Sequence, residues 1–196
     1  MSSAPDSTRT RILKASLALL EASQGQGVRM ADIARKAGVT RQALYLHFST
    51  RGELLVATTH YLDEVKGVEA RLAASRSARS GVERLEAFIA AWGGYIPEMY
   101  GIARALLAMK DTDEAAAKAW RARMQDVREG CAAAIEALAA DGMLSSDYSP
   151  ETATDLLWTL LSIRTWEQLT GACGWHQAQY IERLTQLAHQ AFVARP

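Results

Sequence analysis

Apolar residues recur every three or four positions along nearly the whole chain, which is the repeat of an α-helix with one buried side. In residues 8–23, for example, Ile12, Leu13, Leu17 and Leu20 fall together in this way. The pattern predicts nine helices and no strand, and therefore an all-α fold. The expected helices cover about 8–23, two short segments on either side of residue 38, and then about 50–75, 80–96, 97–110, 113–141, 149–172 and 176–193, with residues 1–7 as a disordered tail.

Local signals set several of these boundaries. Ser80 and Glu83 have the spacing of a capping box, and Thr50 and Glu53 repeat it at the start of the fourth helix. The fourth helix contains no proline, so we expect it to continue unbroken over its whole length. Pro97 is expected to begin the sixth helix, since proline is tolerated in a first turn.

Residues 33–55, IARKAGVTRQALYLHFSTRGELL, have the pattern of two short helices joined by a tight turn. Gly38 is the residue type that closes a helix in the left-handed conformation. Val39 can fill the angle between the helices, and Thr40 can cap the second one. The segment therefore predicts a helix-turn-helix, in which the second helix enters the major groove of DNA.

The second of these helices divides into an inner and an outer face at about 100° per residue. Leu44 and Phe48 share the face that packs inward. Gln42 and Leu46 lie roughly opposite, with Arg41 on one flank. Arg41 suits guanine, Gln42 suits adenine and Leu46 suits a thymine methyl group. The alternative is a short surface helix with arbitrary polar residues. The residues predicted to contact bases or phosphates are Arg29, Thr40, Arg41, Gln42, Ala43, Tyr45, Leu46, His47 and Arg51.

Three runs in this region resemble the DNA-binding domain of the TetR family of bacterial transcriptional regulators. They are Ala37-Gly38-Val39-Thr40, Leu44-Tyr45-Leu46-His47-Phe48 and Ser49-Thr50-Arg51-Gly52-Glu53-Leu54-Leu55. The resemblance covers roughly residues 10–56. It implies a nine-helix architecture with an N-terminal three-helix DNA-binding domain and a C-terminal helical domain for ligand binding and dimerisation.

The chain departs from the family pattern at two positions. Arg29 stands where the family usually has Ser or Thr as the cap of the second helix, so the cap should be weaker, although an arginine can reach a phosphate directly. Gly52 stands where an acidic residue is more usual, and we expect it to soften the first turn of the fourth helix.

Charge divides unevenly along the chain. The whole sequence has 22 basic and 22 acidic residues and is neutral. Residues 1–51 contain eight Lys or Arg against Asp6, Glu21 and Asp32, whereas residues 52–196 are correspondingly acidic. A basic N-terminal region on an acidic body is typical of a DNA-binding module. We therefore predict a DNA-binding domain at 1–51 and a ligand-binding and dimerisation domain at 52–196.

Other classes of protein are disfavoured by the composition. No apolar run reaches the ~18 residues of a membrane span, and the N-terminus lacks the apolar core of a signal peptide, so a cytoplasmic location is expected. Cys131 and Cys173 lack metal-ligand spacing and are expected to be packed thiols. His60, His176 and His189 have no nucleophile or carboxylate at a recognisable spacing. We expect no cofactor, no metal site and no enzymatic activity.

The last two predicted helices indicate a homodimer. The eighth is apolar on more than one face and the ninth has a continuous apolar stripe, so both need cover on two sides. Proteins of the family pair these helices with their two-fold copies as a four-helix bundle; burial within a single chain is the alternative. The residues expected at the dimer interface are Leu156, Leu160, Ile163, Ile181, Leu184, Ala188 and Ala191.

Aromatic and methionine residues concentrate on the fifth to eighth predicted helices, which the family resemblance places around a small-molecule pocket. Such side chains commonly line ligand sites, although at helical spacing they also form ordinary core. The candidate pocket residues are Trp92, Tyr95, Met99, Tyr100, Arg104, Trp120, Met124, Trp158, Ser162 and Trp166.

Together these features predict a homodimeric transcriptional repressor that binds an inverted repeat in double-stranded DNA and is released by a small hydrophobic or aromatic effector. Repression is the usual mode of the family, and the residues themselves do not distinguish a repressor from an activator. The alternative is a DNA-bound adaptor that answers to a protein partner and has no small-molecule effector.

Overall fold

A computed structural model describes residues 6–194. Helices dominate this range, which confirms the all-α prediction, and pairing of the strand type is limited there to one bridge between Leu144 and Val193. If the interrupted stretch from 150 to 172 is counted as one element, the described residues form nine helical elements, as predicted. The helices are α1 (Thr8–Ala22), α2 (Met30–Ala37), α3 (Arg41–His47), α4 (Arg51–Lys66), α5 (Val68–Arg76), α6 (Gly81–Met109), α7 (Glu114–Ala140), α8 (Pro150–Leu160), α9 (Ile163–Glu167) with a π-helical turn (Gln168–Ala172), and α10 (Gln177–Phe192).

Two residues of the predicted N-terminal tail belong to the ordered structure. Residues 1–5 lie outside the described residues. Ser7 caps α1, because its hydroxyl accepts a hydrogen bond from the Thr10 amide at 3.1 Å, and Asp6 pairs with Lys14 at 2.6 Å. The prediction of a disordered tail is therefore wrong for Asp6 and Ser7.

The chain forms two compact units. The first contains the described residues up to Lys66 together with Glu98–Ala122, and the second contains Gly67–Pro97 together with the described residues from Arg123 onward. Helices α6 and α7 are each divided between the two units. This division concerns packing alone, and the functional boundary after residue 51 stays a prediction.

In the first unit, α1 packs against α2 and α4, and their leucine and isoleucine side chains form the core. The end of α1 also approaches the backbone of α6 very closely. A Cβ atom added at Gly101 would lie 2.3 Å from the carbonyl oxygen of Leu20, and one added at Gly25 would lie 2.2 Å from the carbonyl oxygen of Gly101. Glycine at both positions therefore allows the two backbones to touch.

The predicted fourth helix is not continuous. It ends at Lys66, and α5 begins after Gly67, whose φ of +62° is in the left-handed region that glycine adopts without strain. The sequence-based prediction missed this break because a single glycine within a helical pattern is often tolerated.

The predicted break at Pro97 is wrong, and α6 runs through this residue from Gly81 to Met109. Proline has no amide hydrogen, so the carbonyl four residues earlier loses its helical partner. That carbonyl belongs to Gly93, and the side-chain amide of Gln177 donates to it at 2.8 Å. The oxygen of the same Gln177 amide accepts from the indole N–H of Trp166 at 2.8 Å. A hydrogen bond from α10 thus replaces the one that proline removes.

The predicted eighth helix is interrupted between Leu160 and Ile163. Ser162 caps α9 by accepting from the Thr165 amide at 3.1 Å, and serine and threonine compete with helical hydrogen bonding in this way. The carbonyl of Leu161 at the break accepts from the indole N–H of Trp92 at 2.9 Å. Side chains within the second unit therefore stabilise the interruption.

The two cysteines have different environments. Cys131 is buried, and desolvation raises the pKa of its thiol to about 12, as expected of a packed thiol. Cys173 is exposed, so the prediction of a packed thiol is wrong there.

We expect Gln177→Leu to destabilise the protein, because the Gly93 carbonyl and the Trp166 N–H would both lose their partner. An unsatisfied buried polar group costs about 1–3 kcal/mol. Chemical unfolding at a fixed protein concentration measures the loss. Gln179→Leu, at an exposed position of the same helix, is the matched control and should have little effect; equal losses in the two variants would contradict the proposed role of Gln177.

Candidate nucleic-acid interface

The turn between α2 and α3 has the geometry that its residues predict. Gly38 ends α2 with a φ of +66°, and the amide of Val39 donates back to the Ala34 carbonyl at 3.0 Å. Thr40 then caps α3, because its hydroxyl accepts from the Ala43 amide at 3.1 Å. These contacts hold the two helices at one angle and satisfy the backbone groups at the turn.

Helix α3 is divided into a buried side and an exposed side. Leu44 is completely buried and Phe48, directly after the helix, is nearly so. Leu46 lies on the other side, with 83% of its surface exposed. The remaining exposed side chains of α3 are those of Arg41, Gln42, Tyr45 and His47, and Ala43 is half-buried between the two sides.

The side chain of Arg41 on α3 is restrained by the ring of Tyr45, one helical turn away. The guanidinium carbon of Arg41 lies 5.5 Å from the centre of the Tyr45 ring, within the range of a cation–π contact. This contact limits the freedom of Arg41 before any ligand is bound, so the side chain has less conformational entropy to lose on contact with a base.

Arg9 is a candidate contact that the sequence pattern did not indicate. Its guanidinium carbon lies 5.1 Å from the centre of the Phe48 ring, which brings the first turn of α1 to the end of α3. Arg9 and His47 also share a cleft of about 670 Å³ between α1, the end of α3 and α4. The signal was missed because residues so distant along the chain meet only after folding.

The first turn of α4 is closed by the predicted capping box, with one difference. The Thr50 hydroxyl accepts from the Glu53 amide at 3.1 Å, whereas the Glu53 carboxylate reaches back one residue further than expected and accepts from both the amide and the hydroxyl of Ser49 at 2.8 Å. These donors lower the pKa of Glu53. Arg51 therefore lies, half-buried, in a fixed turn.

Gly52 has a packing role that was not predicted. A Cβ atom at this position would lie 2.2 Å from a carboxylate oxygen of Asp113, which in turn accepts from the Ala116 amide at 2.9 Å and caps α7. A side chain at position 52 would therefore displace the Asp113 carboxylate from its place at the start of α7, a packing role that comes in addition to the predicted softening of the turn.

At the start of α2, Arg29 has no side-chain capping hydrogen bond, as expected from the absence of Ser or Thr. Its side chain contacts Asp32 instead, through Nε at 3.0 Å. Arg35 contacts the same carboxylate through Nη2 at 2.7 Å. Neither Asp32 nor Arg35 was among the predicted site residues, because their pairing is decided by side-chain geometry.

The sequence profile described as "Bacterial regulatory proteins, tetR family" matches residues 12–58. These residues begin in α1 and end in α4, so the match contains the whole of α2, the turn and α3. The chain belongs to the TetR family of bacterial regulatory proteins. It is therefore a DNA-binding transcriptional regulator with a helix-turn-helix.

Individual relatives of this TetR-family chain are distant. It is 27% identical over 157 residues to the HTH-type transcriptional regulator CymR of Pseudomonas putida. The matched region covers 79% of this chain and 74% of that protein. It is 33% identical over 64 residues to the nucleoid occlusion factor SlmA of Marinomonas sp. (strain MWYL1). The matched region covers 33% of this chain and 32% of that protein.

Solved structures share the fold of this TetR-family chain. A transcriptional regulator from Saccharomonospora viridis in complex with choline has a TM-score of 0.81 at 17% identity, covering 95% of this chain and 98% of that chain. A TetR-family regulator from Rhodococcus sp. has a TM-score of 0.75 at 21% identity, covering 94% and 98%. At these identities the comparison establishes the fold alone.

The candidate effector residues are divided between the two compact units of the TetR-family chain. In the first unit, Met99 and Tyr100 are buried and Trp120 is half-buried. Arg104 lies 5.9 Å from the centre of the Tyr100 ring and donates at 2.9 Å to the amide oxygen of Gln26 when that oxygen faces the guanidinium. Part of its hydrogen-bonding capacity is therefore already used.

In the second unit, several candidate effector residues have structural hydrogen bonds or ring contacts. Trp92 donates to the break after α8, Ser162 caps α9 and Trp166 donates to Gln177. The ring of Tyr95 is 6.2 Å from that of Trp92. Met124 and Trp158 are half-buried. The pocket assignment stays a prediction.

The predicted dimer residues differ in exposure. Leu156 has 42% of its surface exposed, and Leu160, Ile181 and Ala191 are half-buried. Ile163, Leu184 and Ala188 are buried within the chain, and the assignment of a dimer interface stays a prediction. Leu187 was not predicted but is 43% exposed on α10.

The described part of the chain contains no helix with the length and hydrophobicity that a membrane span requires.

We expect Glu53→Gln to destabilise the folded protein at neutral pH and to have little effect in acid. The pKa of Glu53 is lowered in the folded state by the Ser49 donors. Its charged form therefore stabilises the fold above the unfolded pKa of about 4.3, and this contribution is lost as the pH falls through the folded pKa.

Thermal unfolding of both proteins between about pH 3 and pH 7 measures this difference, which should close in the acidic part of the range. Glu64→Gln, further along α4, is the control for loss of a carboxylate as such. A difference between wild type and Glu53→Gln that stays constant across the range would contradict the assigned role.

Proposed function

We propose that this regulator is a homodimeric repressor that binds an inverted-repeat operator and leaves it when a small hydrophobic or aromatic effector binds. Residues 1–51 bind DNA in this proposal, and residues 52–196 bind the effector and the second protomer. The observation that carries the proposal is the exposed face of α3. Arg41, Gln42 and Leu46 are exposed there, whereas Leu44 of the same helix is buried and anchors it.

The residues on and around α3 are assigned to two tasks. Arg41 pairs with guanine, Gln42 with adenine and Leu46 with a thymine methyl group, and these contacts read the sequence. Phosphate contacts hold the protein in register without reading sequence. We assign the second task to Arg29, Thr40, Tyr45, His47 and Arg51, with Ala43 small enough to allow close approach of α3 to the groove.

Dimerisation is supported by the exposed apolar residues of α8 and α10. Leu156 and Leu187 each leave more than two fifths of their surface exposed, and they lie on α8 and α10, the helices that proteins resembling this one pair with their two-fold copies. A single α3 helix makes few base contacts, whereas two helices related by two-fold symmetry read two half-sites about one helical turn apart. The operator is therefore an inverted repeat.

Release by an effector requires that it bind the two conformations of the protein with different affinity. A hundredfold loss of operator affinity corresponds to about 2.7 kcal/mol of coupling free energy. The aromatic and methionine residues of α6, α7 and α8 support an apolar effector, and the related fold from Saccharomonospora viridis was solved with choline, a small organic molecule.

The alternative function is that of a DNA-bound adaptor regulated by a protein partner. The relatives described as nucleoid occlusion factors support it weakly, since the match to the Marinomonas protein covers only 33% of this chain. A protein whose operator binding responds to no small molecule, but to a protein partner, would favour the adaptor.

Selection of operator sequences from random duplex DNA tests DNA recognition. We expect an enriched inverted repeat at near-physiological salt, and an affinity that falls steeply as salt rises. Arg41→Ala should relax the base preference at one position of each half-site, at a cost of about 1–3 kcal/mol. Arg51→Ala is the matched control and should weaken binding to all sequences alike. An unchanged preference in Arg41→Ala would refute its role as a base reader.

Substitution of the exposed leucines tests dimerisation. Leu156→Asp and Leu187→Asp should each shift the protein toward monomer, because a charge buried at an apolar interface is costly. Sedimentation measures the change. Val65→Asp is the control, since Val65 is 49% exposed but lies on α4. A stable dimer in both leucine variants would contradict this interface.

A further inference from the structure

One carboxylate at the start of the helix-turn-helix contacts two arginines. Asp32 accepts from Arg29 Nε at 3.0 Å and from Arg29 Nη2 at 3.5 Å, and it accepts from Arg35 Nη2 at 2.7 Å. The three residues are spaced three apart, which makes them neighbours on the surface of a helix. Both arginine side chains are 78% exposed, whereas that of Asp32 is only 18% exposed.

The charge of Asp32 is unfavourable for DNA binding if it acts alone. It is one of three acidic residues among the first 51, and a carboxylate near phosphates repels them. Hydrogen bonds from Arg29, followed by the nearby positive charges, lower the pKa of Asp32, so it remains charged at neutral pH. The same charge holds both arginines on this face through the hydrogen bonds described above.

Both guanidinium groups keep donors that Asp32 does not use. An arginine has five N–H donors. Arg29 applies two of its nitrogens to Asp32, and Arg35 applies one. The remaining donors belong to exposed groups and can contact a phosphate, for which the planar fork of arginine is well suited. Holding a long side chain before binding reduces the entropy that is lost on contact.

We propose that Asp32 is a positioning residue that orients Arg29 and Arg35 as a two-arginine clamp for one backbone phosphate of the operator. Arg35 becomes a direct DNA contact, and Asp32 acts through the two arginines. The inference rests on the proposed operator binding.

Asp32→Asn distinguishes positioning from charge because the two effects have opposite signs. The variant loses a negative charge, so attraction to DNA alone predicts tighter binding. Loss of positioning predicts binding that is about fivefold weaker, to operator and to non-operator DNA alike, because a phosphate contact does not read sequence. Glu21→Gln is the matched control, since it removes an exposed carboxylate from α1 and should leave operator affinity unchanged or raised.

Arg35→Lys supplies a second variant that keeps the charge. It should weaken operator binding with little change in the salt dependence, because lysine lacks the planar fork. Thermal unfolding of each variant checks that the fold is intact, since Asp32 also lies in the first turn of α2, where a carboxylate is favourable.

Operator duplexes with single neutral methylphosphonate linkages locate the clamp. Wild type should lose affinity at each contacted phosphate of a half-site, and Asp32→Asn should lose its sensitivity at one of them, the phosphate held by the clamp. An Asp32→Asn variant that binds the operator as tightly as Glu21→Gln, with the same phosphate sensitivity as wild type, would overturn the clamp alone. A wild-type protein that selects no operator would overturn the proposed function, and the clamp with it.

Discussion

Burial of Leu44 is the constraint on which the proposed DNA-binding surface depends. Helix α3 has seven residues, and a helix of this length is not stable in water without tertiary contacts. Leu44 and Phe48 anchor it to the first unit, and the Thr40 cap satisfies its first turn. Only with the helix held in this way do the exposed side chains of Arg41 and Leu46 keep a fixed geometry relative to each other.

Backbone groups must find hydrogen-bond partners also at the two irregular places of the second unit, which are the proline within α6 and the break after α8. Pro97 leaves the Gly93 carbonyl without a helical donor, and Gln177 donates to it. At the break after α8, the Leu161 carbonyl accepts a hydrogen bond from the indole N–H of Trp92. In both cases a side chain from a distant segment replaces a local hydrogen bond. These contacts allow α6 to continue through a proline and stabilise the end of α8.

These irregular points also show why sequence patterns predict some features and not others. The helix-turn-helix could be predicted because its signals are local: Gly38, Thr40 and the spacing of Leu44 and Phe48. The continuity of α6 could not, since it depends on Gln177, which is far away in the chain. The same holds for the site. The outer face of α3 follows from helical periodicity, whereas the pairing of two arginines on Asp32 is a matter of side-chain geometry that no spacing fixes.

The contact between α1 and α6 bears on how an effector could act on the DNA-binding residues. The backbones touch at Gly101, Leu20 and Gly25, where no side chain could fit, and Arg104 on α6 contacts Gln26 just beyond. Packed interiors deform little and transmit displacements. A shift of α6 at this level therefore moves the end of α1, and α1 packs against α2. In the proposed repressor, movement of α6 driven by an effector would reach α1 through this contact, and α2 through the packing of α1 on it. Glycine is needed at positions 25 and 101 because a Cβ atom there would separate the two backbones.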